Sequence, residues 1–227
     1  MNARPASAVP SAAGFRYSLR GGAVEIANRL AAREDVDIAA DLLAGSHLHA
    51  ARSTETLRQW AAAAADLGHR MATDSGLDHD PSVPVTEEPG GLVGDQLVLA
   101  RYLSRPPTVV LHPAAIAAAE AVVTAAGWAT LFPAGTVRRA AIAHEVAHGL
   151  LDGPYRRRLR ACAGPVLLRW GHRSWRGVVV GADEIAAHAY ARIRLGLRRS
   201  PLLLAAAVTE LVRPQPPTDP SRRTKES

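Results

Sequence analysis

The residues best suited to chemistry lie in one short run, His144-Glu145-Val146-Ala147-His148. Residues four apart share one face of an α-helix, so both imidazoles can reach a single metal ion. Glu145 stands beside the first histidine, where its carboxylate could take a proton from a water molecule without binding the ion. The spacing predicts a zinc site with His144 and His148 as ligands and Glu145 as general base. The alternative is a helix that merely carries two surface histidines.

A catalytic zinc ion needs a third protein ligand and one open position. The metzincin pattern requires glycine three residues after the second histidine and His or Asp three residues later, but Leu151 and Pro154 stand there. Glu184 is the only glutamate between His148 and residue 209, and it opens a predicted helix. We expect Glu184 to be the third ligand. His188, one helical turn further on, is the rival, and either residue could bind while the other supports a ligand histidine.

Amide hydrolysis also needs a polar partner for the carbonyl oxygen of the scissile bond. Three residues are candidates, and the sequence does not choose among them: Tyr190, His188 and His172. Tyr190 could equally be an aromatic residue of the core. In such sites zinc acidifies a water molecule, and Glu145 would take its proton and return it to the leaving amine. Catalytic roles are therefore expected for Glu145 and for Tyr190 or His188.

The other histidines give no comparable pattern. His47 and His49 flank Leu48 in an apparent loop, and no third ligand is near them in the sequence, so no metal site is expected there. Surface or turn positions are expected for the remaining three, His69, His79 and His112.

Two stretches resemble the motifs of a known family. Arg139–Leu151 (RAAIAHEVAHGLL) looks like the zinc helix of the ImmA/IrrE-type metallopeptidases, and Glu184–Ala191 (EIAAHAYA) resembles their second motif. The resemblance extends loosely over residues 95–205. It implies a zinc-dependent peptidase that makes limited cuts in a regulatory protein, often a helix-turn-helix repressor, in the cytoplasm. The sequence departs from the family pattern at Ala147, where glycine is frequent, at His188, where asparagine or aspartate is frequent, and in a long insertion, residues 152–182.

The remaining sequence must supply the scaffold for these residues. A short β-branched run, Thr108–Leu111, predicts a buried strand, and a zincin core needs a sheet beside its zinc helix. We therefore expect an α+β, mostly helical fold with a zincin-like core and a small β-sheet beside the HExxH helix. Apolar residues at helical spacing predict the helices, which cover 23–43 with a break near 33–37, 54–71, 114–126, 135–151, 183–196 and 201–212. Asp183 is expected to cap its helix.

The composition changes along the chain suggest five parts. Residues 1–18 and 213–227 are expected to be disordered ends, and residues 76–91 a linker rich in Pro, Gly, Asp and Ser. Residues 19–75 would form a helical N-terminal segment, and residues 92–212 a zincin-like metallopeptidase domain. Between the motifs, residues 154–181 are expected to be irregular.

Charge and cysteine content restrict the partners. The net charge is +6 and all but one of the 27 basic residues are arginine, which fits either an acidic partner or a coding bias. The densest basic stretch carries Arg156, Arg157, Arg158, Arg160, Arg169, Arg173 and Arg176 with Trp170 and Trp175. We interpret it as a solvated face rather than a nucleic-acid site.

One cysteine, Cys162, permits neither an intramolecular disulfide nor a cysteine-based metal site. Neither a signal peptide nor an apolar run of about 18 residues is evident, so we expect a soluble cytoplasmic protein with no membrane partner. The favoured function is a zinc metallo-endopeptidase acting on a protein, such as a DNA-binding regulator. The alternatives are a catalytically silent zincin-like scaffold that binds a protein or DNA, and DNA binding by the helices of residues 23–72.

Overall fold

Helices dominate the structure, a computed structural model that describes residues 16–74, 83–153, 155–163, 166–170 and 173–215. The helices are α1 (Ala23–Ala31), α2 (Asp35–Ala44), α3 (Thr54–Thr73), α4 (Pro113–Ala125), α5 (Thr136–Asp152), α6 (Arg156–Ala163), α7 (Ala182–Arg194) and α8 (Pro201–Leu211). A short 3-10 helix covers His47–His49. The strands are β1 (Arg16–Leu19), β2 (Val85–Glu87), β3 (Leu92–Val93), β4 (Gln96–Leu97), β5 (Ala100–Ser104), β6 (Pro107–Leu111), β7 (Val166–Trp170), β8 (Arg173–Arg176) and β9 (Val212–Gln215).

The expected α+β, mostly helical class is confirmed, and so is each helix predicted from apolar spacing. The Ser53 hydroxyl caps α3 by accepting a hydrogen bond from the backbone N–H of Thr56 at 3.2 Å. The cap predicted for α7 is wrong. This helix begins after Gly181, which has a φ of 86°, and Asp183 lies inside the first turn. A carboxylate there still complements the positive end of the helix dipole.

A three-stranded sheet lies beside α5. Strand β6 is central and pairs antiparallel with β5 and parallel with β2, so the strand order is β2-β6-β5. The predicted strand at 108–111 is confirmed, and Val109, Val110 and Leu111 are buried. Strand β5 is an edge strand that packs against α5. The sheet therefore presents a free strand edge next to the helix that carries both site histidines.

Four regions differ from the expectation. Strand β2 lies inside the predicted linker, and helix α6 with the β7–β8 hairpin lies in the region expected to be irregular. Strands β1 and β9 pair with each other within the segments expected to be disordered. Strands β1, β2 and β9 are short and pair with distant segments, so no local periodicity in the sequence predicts them. Helix α6 is rich in arginine, a good helix former that an apolar pattern does not detect.

The helical N-terminal segment shares one core with the rest of the chain. Helix α3 packs along α7, and an added Cβ on Gly68 of α3 would lie 2.1 Å from the carbonyl oxygen of Ala186 on α7. The two helix backbones are therefore in direct contact at this point, which only glycine permits. Within the described ranges, no helix combines the length and hydropathy required to cross a membrane.

Candidate metal centre

Helices α5 and α7 bring the three expected ligands together. His144 and His148 lie one turn apart on α5, and their Nε2 atoms are 3.0 Å from each other. Glu184, in the first turn of α7, reaches across the helix interface. Its Oε2 lies 3.2 Å from Nε2 of His144, and its Oε1 lies 3.2 Å from Nε2 of His148. The three side chains converge on one point between the helices.

These separations fit a tetrahedral metal ion. Bonds of about 2.0–2.1 Å from nitrogen or oxygen to zinc imply that neighbouring ligand atoms lie about 3.3 Å apart. Two imidazole nitrogens at 3.0 Å cannot both carry a proton without repulsion, because each N–H would point at the other. A divalent cation between them removes this conflict and neutralises the carboxylate. The cluster is thus compatible with a metal site.

The centre is sheltered on one side and open on the other. The side chains of His144 and His148 are 12% and 21% exposed, whereas that of Glu184 is 45% exposed. The imidazoles are thus held by packing between α5 and α7, and the carboxylate faces the solvent. An ion bound here would keep an accessible position for another molecule.

The charges within the cluster support each other. Burial alone would raise the pKa of Glu184, but the hydrogen bonds and positive charge of His144 and His148 outweigh it and lower that pKa strongly. Burial would lower the pKa of His148, but Glu184 outweighs it and raises that pKa. The negative charge of Asp183 also raises the pKa of His148. Candidate ligand atoms of Asp183, His148 and Glu184 lie within 4.8 Å of one another.

Glu145 lies beside the cluster and does not join it. Burial raises the pKa of its carboxyl group, and the charges of His144 and His148 only partly oppose this effect. Its carboxylate accepts a hydrogen bond from the backbone N–H of Tyr102, on the edge strand β5. A half-buried carboxylate with a raised pKa, held in place by a backbone donor, suits a group that accepts and returns a proton.

His188 lies behind the centre. Its ring is 4.3 Å from that of His144, and a candidate ligand atom of His188 falls within 4.8 Å of those of His144 and Glu184. Burial and the charge of His144 lower the pKa of His188 well below its usual value, so the ring is neutral. Its Nδ1 is buried and has no hydrogen-bond partner among the described residues. Of the two rival ligands, Glu184 lies within 3.2 Å of both histidines, whereas His188 is grouped with His144 but not with His148.

Tyr190, a second proposed carbonyl partner, is not at the centre. It is 1% exposed and belongs to the hydrophobic core, and it does not line the cavity that contains His144 and Glu184. The third candidate, His172, lies outside the described residues. Of Tyr190 and His188, only His188 faces the cavity.

The remaining histidines are remote from the centre. His49 is buried, donates through Nδ1 to the carbonyl of Leu43 at 2.8 Å and contacts the edge of Trp60, whereas His47 and His69 are exposed. His112, expected at a surface or turn position, is the single residue that connects β6 to α4. It is buried rather than at the surface, and its Nδ1 donates to the carbonyl of Glu88, in the segment after β2, at 3.2 Å. His79 lies outside the described residues.

Tyr102 and Gly149 were not singled out as site residues from the sequence. A Cβ on Gly149 would lie 2.7 Å from Cζ of Tyr102, so the phenol rests directly on the helix next to His148. A glycine inside a helix costs about 1 kcal/mol relative to alanine. Its presence directly after the second histidine was the available signal of a close contact.

The cluster lines a cavity of about 860 Å³. Segment 95–102, which leads from the β3–β4 turn into edge strand β5, lines the same cavity, and so do residues of α8. His144, Glu145, His148, Glu184 and His188 all line this cavity. The volume lies within the usual range for ligand-binding clefts, about 300–1,000 Å³.

The basic stretch forms part of a separate surface on α6. Arg156, Arg157, Arg158 and Arg160 are exposed, and Arg158 also approaches Asp74 at 3.7 Å and lies over the ring of Tyr155 at 4.9 Å. The side chains of Arg169, Arg173, Arg176, Trp170 and Trp175 fall outside the described part of the structure. This surface does not border the cavity around His144.

Comparison of the chain with known proteins gives no match. The chain matches no protein-family model, and neither the curated proteins nor the solved structures give a significant match. The site is therefore defined by its own residues: two histidines and a glutamate that converge between α5 and α7, with a half-buried glutamate beside them.

Proposed function

We propose that the protein is a zinc-dependent metallo-endopeptidase with a zincin-like core. The convergence of His144, His148 and Glu184, with atoms 3.0–3.2 Å apart and one open side, supports this function most directly. His144, His148 and Glu184 would bind the ion. Zinc would supply Lewis acidity for a water molecule and for the carbonyl group of a peptide bond.

Glu145 is the proposed general base. Its half-buried carboxylate has a raised pKa, so it can hold a proton taken from water and deliver it to the leaving amine. The backbone N–H of Tyr102 fixes one side of this carboxylate. His188 supports the ring of His144 from behind, which is the role left to it once Glu184 is a ligand.

The shape of the cavity supports a polypeptide substrate. Residues 96–102 line it and include β4 and the start of edge strand β5. An edge strand offers unpaired backbone groups to which an extended peptide can add as a further strand. The backbone of such a peptide would pass next to Glu145 and Glu184.

The nature of the substrate is proposed from resemblance alone. The similarity of Arg139–Leu151 and Glu184–Ala191 to the ImmA/IrrE-type motifs supports a regulatory protein, such as a DNA-binding repressor, cleaved in the cytoplasm. His188 and the long insertion between the motifs separate this chain from the usual pattern. The regulator that it cleaves would therefore differ from those cleaved by the family.

Two measurements on purified full-length protein test the proposal. Elemental analysis after dialysis should find one zinc ion per chain. Incubation with a lysate, followed by mapping of new N-termini, should reveal cleavage products that are missing when the protein carries Glu145→Gln. Exposed Glu120 on α4 provides the control, because Glu120→Gln should cleave like the unchanged protein.

The alternative function of a zincin-like scaffold makes a different prediction. One zinc ion would still bind, but the N-terminal profiles of the unchanged and Glu145→Gln proteins would be identical. That result would overturn the peptidase proposal and favour a binding role for the metal-loaded fold.

A further inference from the structure

The net positive charge of the protein lies in one stretch of the chain. Residues 153–181, between the two helices that carry the proposed metal ligands, hold seven arginines and no acidic residue. The whole chain has 27 basic and 21 acidic residues, so the other 198 residues hold 20 basic and 21 acidic ones. Positive and negative charges are thus balanced outside this stretch. A general coding bias towards arginine would not confine the excess charge to one stretch.

Helix α6 displays part of this charge on one side, which we call the basic face. Its members Arg156, Arg157 and Arg160 are exposed and lie within an arc of about 100° around the helix. Leu159 and Cys162 pack against the hydrophobic core. The helix is therefore held to the protein by its inner side, and the arginines of the basic face point to the solvent.

The basic face has no counter-charge in the described part of the protein. None of its three arginines forms an ion pair with a described acidic residue, whereas the neighbouring Arg158 approaches Asp74 at 3.7 Å. The solvated face expected from the sequence would be laced with salt bridges. The three arginines are instead available to an external anion.

The charges at the start of α6 also oppose the helix dipole. The first turn of a helix carries a partial positive charge, so acidic residues stabilise it and basic residues destabilise it. Helices α1, α2, α3 and α7 each have acidic residues in the first turn. Helix α6 has none there and begins with three consecutive arginines. A placement that costs stability indicates that these arginines serve a function other than folding.

The chemistry of the basic face fits the phosphate backbone of a nucleic acid. The arginine guanidinium can bind two phosphate oxygens at once. Arg156 and Arg160 are four residues apart, which is about 6 Å along the helix axis. The phosphates of one DNA strand follow each other about every 3.4 Å along the duplex. Side chains at this spacing can reach successive phosphates of the same strand.

The composition of α6 disfavours the two other kinds of polyanionic partner. Interfaces between proteins have an apolar core, and helices that bind membranes insert large apolar side chains into the lipid. Among the described side chains of α6, no large apolar one is exposed. Interfaces with DNA are polar and strongly positive, as this surface is.

We propose that the basic face of α6 binds the phosphate backbone of double-stranded DNA without reading its base sequence. DNA binding would be a property additional to the proposed peptidase function and does not require it. No residue of α6 lines the cavity around His144, so bound DNA would leave the metal centre accessible.

Fluorescence anisotropy of a labelled DNA duplex of about 20 base pairs tests binding by the full-length protein. The affinity should fall steeply as the salt concentration rises from about 50 to 200 mM. Glutamine at Arg156, Arg157 and Arg160 together should weaken binding at about 50 mM salt by tenfold or more. The salt slope should fall by about three, one for each lost phosphate contact. Absence of binding by the unchanged protein at about 50 mM salt would overturn the proposal.

A second triple variant separates the basic face from the total charge. Arg20, Arg105 and Arg198 are exposed, form no ion pair with a described acidic residue and lie in three separate loops. Glutamine at all three positions therefore lowers the net charge by the same amount. This variant should bind the duplex within about twofold of the unchanged protein. Equal losses of affinity in the two triple variants would show that total charge, and not the basic face, holds the DNA.

Two further measurements address a structural role and an acidic protein partner. The basic-face variant should unfold at the same temperature as the unchanged protein or higher, because its arginines oppose the helix dipole. A lower unfolding temperature would assign the arginines to the fold and overturn the proposal. Polyglutamate of equal charge should compete for the protein at least tenfold more weakly than unlabelled duplex. Equal competition would make an acidic protein, and not DNA, the partner.

Discussion

Gly68 on α3 and Ala186 on α7 are in backbone contact, and an added Cβ on Gly68 would lie 2.1 Å from the Ala186 carbonyl oxygen and 2.9 Å from its carbon. Ala186 lies two residues after the proposed ligand Glu184. The fit between α3 and α7 therefore fixes the helix that presents the carboxylate to His144 and His148. The N-terminal helices consequently contribute to the position of the site.

Gly68→Ala should destabilise the protein. In an exposed helix this change would stabilise by about 1 kcal/mol, but here the methyl group meets backbone that cannot move away. We expect a loss of about 1–3 kcal/mol in the free energy of unfolding, as for other overpacked cores, measured by urea denaturation. Gly21→Ala is the control, because a Cβ there meets no atom within 4 Å. Equal stability of the two variants would show that α3 and α7 are not in close contact.

Gly149→Ala should impair cleavage without removing the metal. The added methyl group would lie 2.7 Å from Cζ of Tyr102, so the phenol must move off the helix. We expect the backbone of Tyr102, which supplies the donor to Glu145, to shift with it. We expect zinc content to stay at one per chain and kcat to fall about tenfold, because small misplacements of catalytic groups have large effects.

Gly153→Ala is the control for this change, since its Cβ would have an ordinary contact of 3.4 Å with the Gly149 carbonyl oxygen. Both variants are assayed on the same cleaved peptide. Unchanged kcat in Gly149→Ala would mean that the contact between Tyr102 and α5 does not serve Glu145.

Replacement of the proposed ligands should rank their contributions to zinc affinity. His148→Ala and Glu184→Gln each remove an atom of the converging cluster, and we expect zinc affinity to fall by more than about 100-fold. His188→Asn leaves the cluster complete and should cost no more than about 10–100-fold, the usual effect of a residue that supports a ligand. Competition with a chromophoric chelator measures all three. If Glu184→Gln retained zinc and His188→Asn lost it, His188 would be the third ligand.

Tyr155 should make stability depend on alkaline pH. Burial and the hydrogen bond to Asp74, in which the hydroxyl donates to Oδ2 at 2.6 Å, raise the pKa of Tyr155. The contribution of Tyr155 to the stability of the fold is thus complete below the usual tyrosine pKa of about 10. It is lost as the pH rises through the higher pKa that Tyr155 has in the folded protein. At pH 8 the free energy of unfolding of the unchanged protein should exceed that of Tyr155→Phe by about 1 kcal/mol.

This difference should narrow above pH 10, because the unfolded chain then loses the tyrosine proton that the folded protein retains. Urea denaturation of both proteins at several pH values measures it. A difference that stays constant from pH 8 to pH 11 would contradict the proposed link between Tyr155 and Asp74.

The sequence predicted the site better than the scaffold around it. The spacing of His144 and His148 and the isolation of Glu184 are local features, and they sufficed to predict three residues that the structure brings together. Glu145 also lies where the spacing predicts. By contrast, the role of Tyr102 depends on how β5 packs against α5, and a single sequence does not encode that relation in any local pattern.

The elements that the sequence failed to predict likewise lack a local pattern. Helices with an apolar stripe were predicted because their periodicity is local. Strand β2 was missed because it is three residues long and pairs with β6 more than twenty residues away. Tyr190 and His188 are two positions apart on α7, and only the helix packing shows that His188 faces the cavity and Tyr190 the core.

The pairing of β1 with β9 also has a mechanical consequence. Arg16 and Gln215 are neighbours in this antiparallel ladder, so the chain enters and leaves the described structure side by side. Tension applied at Arg16 and Gln215 would break the hydrogen bonds of this pair one after another, starting from that end of the ladder. Because β9 follows α8 directly, the next element to carry the load would be the helix that walls the cavity. A pull on the β9 side would thus reach a wall of the cavity before it reached the metal-binding residues.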